Sequence, residues 1–171
     1  MRVLSRLINV IADISGHFSG WLVPIMMFLV LVEVVSRYVA HQPLLIADEF
    51  SAYILVALTF IGLGYTWKEK GHIRIDAVTS RLPVTVVIWL RAITLVMSLA
   101  FSVMLSIESY GFVTLSFARH MKSHSWLSTP LQGPHITVSL GFTILTIVLI
   151  GETIKAIRAL KTNQTIEDRE P

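Results

Sequence analysis

The chain has 171 residues, of which 54% are hydrophobic and only 15% charged, and its formal net charge is +3. So few charges cannot cover the surface of a soluble domain of this size, and the composition points to a membrane protein. There is no cysteine, which excludes disulfides, thiolate metal sites and a cysteine nucleophile.

A helix that crosses a bilayer takes about 20 mostly apolar residues, and four stretches qualify. The first runs from about His17 to Tyr38. It is longer than the apolar core of a signal peptide, carries two charges and is followed by no small-residue cleavage site, so an uncleaved helix is expected. Its end reads VEVVSRYV, residues 32–39, which sets Glu33 and Arg37 one helical turn apart on a shared face. A short loop containing Pro43 leads to Asp48 and Glu49 and then to the second span, from about Phe50 to Trp67. Acids are favoured at a helix N-terminus, and Asp48 is a candidate cap. Three acids and one arginine therefore gather at one end of a helical hairpin. This pattern suits an ion-pair clasp, a face for a partner protein, or a solute or ion site.

The segment WKEKGHIRIDAVTSRLP, residues 67–83, comes next. Gly71 offers a helix stop, and Lys68 and Lys70 suit the C-terminal end of the second helix. His72, Arg74 and Asp76 then alternate with Ile73, Ile75 and Ala77, as in a short extended piece or the start of an interfacial helix. Val78 and Leu82 lie one turn apart, which fits a surface-lying amphipathic turn. An ordinary basic loop accounts for the segment equally well. One histidine with one aspartate four residues on is not a metal ligand set.

The third span starts after Pro83 and stays apolar through Ser106, with no strong breaker until about Lys122, so its helix is expected to tilt or to project into water. The fourth runs from about Ile136 to Ile157. The chain thus reads as an all-α integral membrane protein: one four-helix transmembrane domain over residues 1–161, with a short interfacial segment between helices 2 and 3. Residues 162–171 read as a disordered polar tail.

Lysine and arginine set the orientation. Arg2 and Arg6, then Lys68, Lys70, Arg74 and Arg81, then Lys155, Arg158 and Lys161 fall on one side; the other has only Arg119 and Lys122. Both termini and the middle loop are expected to be cytoplasmic, which puts Glu33 and Arg37 near the outer end of the first helix. No cofactor and no nucleic-acid partner are expected.

The order Glu33, Arg37-Tyr38, Pro43, Asp48-Glu49, Tyr53 and then FIGLGYTWKEKGHIRID resembles the small permease subunit of tripartite ATP-independent periplasmic (TRAP) transporters. The likeness is most specific over residues 33–76. Pro130 ahead of a last helix containing Gly141 also fits. Ile46 departs from the tryptophan that the family often carries three residues before the second acid. The resemblance implies a four-helix subunit of the bacterial inner membrane that scaffolds a large permease subunit. The large subunit would carry the solute and sodium sites, and a periplasmic substrate-binding protein would deliver a carboxylate-bearing organic acid, commonly a dicarboxylate. Transport would be symport driven by the sodium gradient, and the subunit would not be an enzyme. Glu33, Arg37, Asp48, Glu49, Gly71, His72, Arg74 and Asp76 are the structural or interface candidates. With no internal repeat, no broken helix pair and no charge at mid-membrane depth, the chain reads as poorly equipped to transport alone.

Two other classes compete. A haem-binding redox subunit needs histidines on facing helices, whereas His17, His41, His72, His120, His124 and His135 fall at span edges or in loops. A self-sufficient multidrug/proton exchanger needs a titrating acid in the membrane, and Arg37 beside Glu33 would hold that acid ionised.

Overall fold

The computed structural model describes residues 2–69, 84–125 and 127–167. Four helices follow in order: α1 (Arg2–Val39), α2 (Leu45–Lys68), α3 (Val84–Ala118) and α4 (Gln132–Glu167). Each is long and apolar enough to cross a membrane, and the protein is an all-α membrane protein.

The helices outrun the apolar stretches that announce them. α1 begins well before His17 because residues 8–19 are amphipathic. Ala12, Ser15 and Ser19 recur at helical spacing and are buried, and Ile8 on the same stripe lies close to Gly151 of α4. α2 starts at Leu45, just after Pro43, with Leu44 as an extended N-cap residue that makes no side-chain cap. Asp48 is therefore not the cap expected from the sequence. It sits in the first turn, where a carboxylate still meets the positive end of the helix dipole. α4 continues to Glu167, six residues into the segment expected to be a disordered tail. No glycine or proline interrupts residues 152–167, and a helix already formed adds residues at little cost.

The helices stand in a row, in the order α1, α2, α4, α3, with α1 touching α4 only lightly. Small residues set each seam. Between α1 and α2, Ser19 donates to the Leu58 carbonyl (2.9 Å), and the Tyr65 ring fills the space over Gly16. Between α2 and α4, Gly141 lies against the Phe60 carbonyl, and Phe60 meets Phe142 edge-on at 5.3 Å. Between α4 and α3, Thr146 bonds Ser102 (2.8 Å) and Ser106 (3.1 Å), and Tyr110 meets Thr143 (3.2 Å). Large apolar side chains such as Trp21, Phe28, Phe101 and Met104 point outward. This is the pattern expected in lipid, where packing and interhelical hydrogen bonds drive association rather than escape from water.

At its end α3 turns through a Schellman motif. Met121 N–H bonds the Ser116 carbonyl and His120 N–H bonds that of Phe117, with His120 in the left-handed region at φ 45°. The following loop folds back on itself, pairing Ser123 with Thr129 and Leu131 with Met121.

Candidate functional site

The polar groups gather at the end of the row where α1 gives way to α2. Arg37 in the last turn of α1 reaches back one turn to Glu33. Its Nη2 lies 2.6 Å and its Nε 2.8 Å from Glu33 Oε1. Glu33 is buried, and Arg37 is half exposed. The arginine fork also approaches Asp48 of α2, at 3.9 Å, but Asp48 is open to its surroundings. The link between the helices is thus a long, exposed ion pair, and the close bond is within α1. The α1 end is closed by Ser36, whose carbonyl accepts from Ala40 and Gln42 and whose hydroxyl donates to the Gln42 carbonyl (2.6 Å).

Glu49 does not join Arg37. It is buried and faces the loop between α3 and α4. Ser125 donates to Oε2 (2.7 Å), and Thr129 donates to Oε1. The Tyr53 hydroxyl lies 2.8 Å from Oε1 and 2.6 Å from Thr129 Oγ1. Tyr53 has one proton to give and Thr129's is committed to Glu49, so the three groups form a closed circuit around one carboxylate. Charge-assisted bonds of this kind are about twice as strong as neutral ones. They fasten the loop to the start of α2. Among the described residues, hydroxyls rather than a cation balance Glu49.

A second ion pair closes the opposite end. Lys68 in the last turn of α2 meets Asp13 of α1. Sequence reading did not single out Asp13, because it looked for charges within apolar runs and Asp13 precedes one. The amphipathic spacing of Ile8, Ala12 and Ser15 was the available signal. Ser125 and Thr129 were missed as well, since nothing local marks them. Glu108, beyond the expected end of the third span at Ser106, falls within the stretch of α3, Ala92–Ala118, that is long and apolar enough to cross a membrane.

Gly71, His72, Arg74 and Asp76, with the expected interfacial segment, lie outside the described residues. Among those described, no group of three or more metal-ligating side chains is present. Ile46, where the resembled family often has tryptophan, is exposed in the first turn of α2.

The model of the family described as "Tripartite ATP-independent periplasmic transporters, DctQ component" matches residues 26–159. The chain belongs to this family. It is a TRAP small permease subunit, a transport protein of the inner membrane with several spans. A curated relative is the ectoine TRAP transporter small permease protein TeaB of Halomonas elongata. It is 28% identical over 125 residues, which cover 72% of this chain and 63% of the relative. The chain thus spans less than two thirds of the relative's length. The region shared with the DctQ component takes in Glu33, Arg37, Asp48, Glu49 and the loop that carries Ser125 and Thr129. It leaves out Asp13, so the Lys68–Asp13 pair is only half within it.

Proposed function

We propose that this small permease subunit is a fixed scaffold. It would hold the large permease subunit of a TRAP system in the membrane while that subunit, fed by a periplasmic binding protein, takes up a carboxylate-bearing organic solute by sodium symport. The observation that carries this reading is the open row of helices. Each seam is tied by side-chain hydrogen bonds or close glycine contacts, and both ends of the α1–α2 pair carry ion pairs. Such a body is suited to standing still, and its outward apolar faces leave room for a second membrane protein beside lipid.

The bias of the basic residues supports cytoplasmic termini and a cytoplasmic segment after Lys68, an orientation in which the Glu33–Arg37 pair and the Glu49 circuit would face the periplasm. Glu33, the acid that a self-contained exchanger would use, is already engaged by Arg37 of its own helix, which argues against that reading. Solute choice rests with the two other components. The Halomonas relative is named for ectoine, and the carboxylate expectation for this chain comes from the family as a whole.

The test is uptake of labelled organic acids in cells expressing the neighbouring large permease and binding protein, with and without this chain. Uptake that requires all three, with this chain co-purifying with the large permease, supports the scaffold. Transport or export by this chain alone overturns it.

A further inference from the structure

Between α1 and α2 lies an open notch of about 370 Å³, lined by Gly16, His17, Gly20, Trp21 and Tyr65. Two glycines make it. The Tyr65 ring sits over Gly16, whereas a Cβ added at Gly20 would meet nothing within 4 Å. None of the lining residues belongs to α3 or α4, so the notch is a feature of the α1–α2 pair at the end of the row.

The seam sets its depth. Gly16 is three residues from Asp13, and Tyr65 is three from Lys68, so both helices put the start of the notch about 4.5 Å from that ion pair. Asp13 and Arg37 mark the charged ends of the α1 span and are 24 residues apart, about 36 Å along the helix. This slightly exceeds the hydrocarbon core of about 30 Å. The notch therefore stands at the edge of the hydrocarbon, where lipid headgroups meet their chains.

Its polar groups favour a cation that can donate. His17 Nδ1 lies 2.8 Å from the Asp13 carbonyl, which can only accept, so the proton is on Nδ1. Nε2 of the neutral ring then keeps a lone pair. Trp21 is 71% exposed, and it and Tyr65 present aromatic faces, to which cations are drawn. At the deep end, Pro24 has no N–H to give the Gly20 carbonyl four residues back, which leaves a bare partial negative charge. Among the described residues, the charges beside the notch are Lys68 against Asp13 and Glu69, one positive and two negative. A free phosphate or carboxylate finds no such welcome.

We propose that this notch binds the primary ammonium headgroup of a phosphatidylethanolamine from the adjacent leaflet. The ammonium donates to His17 Nε2 between the Trp21 and Tyr65 rings, and the lipid chains follow α1. Charge and donor capacity select this occupant: a choline headgroup has the cation without an N–H, and a glycerol headgroup has no cation.

The experiment offers the purified full chain equal amounts of phosphatidylethanolamine, phosphatidylcholine and phosphatidylglycerol with identical acyl chains, and native mass spectrometry counts the lipid retained. Phosphatidylethanolamine is expected to be held about tenfold better than either competitor, the scale of one hydrogen bond to a charged group. His17→Phe keeps a ring but removes the acceptor, and should erase the preference over phosphatidylcholine. Gly20→Leu fills the notch from a position with room for a side chain, and should lower bound phosphatidylethanolamine by a similar factor. Phe28→Leu, on α1 outside the notch, should change neither. His17, Gly20 and Phe28 are all exposed, so the three variants should melt as the parent does. Equal retention of the three lipids, a preference for phosphatidylglycerol, or an unchanged preference in His17→Phe and Gly20→Leu overturns the site. The preference should persist when the chain is purified with its large permease. Its loss there would give the notch to that subunit and overturn the lipid as occupant.

Discussion

Arg37 is 48% exposed while Glu33 beneath it is buried, and Asp48 is 73% exposed at the edge of ion-pair range. These differences rank the variants. Arg37→Ala strips a buried carboxylate of its close partner. It should cost about 1–3 kcal/mol, the desolvation penalty of a buried group left unsatisfied, reduced because water reaches the arginine. Glu33→Gln keeps an oxygen that can accept from Arg37 and should cost less. Asp48→Ala should be close to neutral. Melting of the three detergent-solubilised variants checks the order, and a larger loss for Asp48→Ala than for Arg37→Ala would refute it. Around Glu49 the prediction concerns the loop. Thr129→Val removes a direct donor and should release residues 121–131 from α2. A cysteine at Leu127 should then react faster with a soluble maleimide than in the parent, while the helices melt at nearly the same temperature. The Glu33–Arg37 pair was legible in the sequence because both partners lie on one helix at a fixed spacing. The Glu49 circuit was not, because Ser125 and Thr129 are 76 and 80 residues away and carry no periodic signature.

At the scale of elements, two glycines should respond in opposite ways. A Cβ on Gly141 would overlap the backbone carbonyl of Phe60, which cannot rotate aside. Gly141→Ala should therefore force α2 and α4 apart and cost about 1–3 kcal/mol, as overpacking does. Gly111→Ala adds its methyl to open space and should change the stability of the isolated subunit by less than about 0.5 kcal/mol. Thermal unfolding of both variants decides the point; equal losses would mean that the α2–α4 contact is softer than described. His120 gives a third test. It holds a left-handed conformation at the end of α3, so His120→Gly should be neutral or stabilising, whereas His120→Val should cost about 1–2 kcal/mol. The four helices could be read from apolar runs because hydrocarbon leaves the backbone no other way to satisfy its hydrogen bonds. Their ends could not. Hydropathy marks where lipid begins, while the α1 start and the α4 end are set by an amphipathic stripe and by helix propagation.

For the whole molecule, orientation is the first quantity to measure. A cysteine at Ser123 should be labelled by an impermeant reagent from the periplasmic side, and one at Thr162 only after the cells are opened. The reverse pattern would invert the assignment and place the Glu49 circuit in the cytoplasm. Helix number and hydropathy gave this level of description early. The arrangement of the helices had to await the structure, because serines and glycines at helical spacing show that a face packs without saying which neighbour it meets.

The row also has a consequence for biogenesis. Spatial order is α1, α2, α4, α3, whereas the ribosome delivers α3 before α4. When α3 first enters the membrane its seam partner does not yet exist, and Ser102 and Ser106 wait for Thr146. The last helix to be made is the keystone: it must slide between a finished hairpin and a lone helix and join them. A chain truncated after α3 should therefore behave as two unconnected bodies, a folded α1–α2 pair and a free α3 open to the membrane's quality-control proteases.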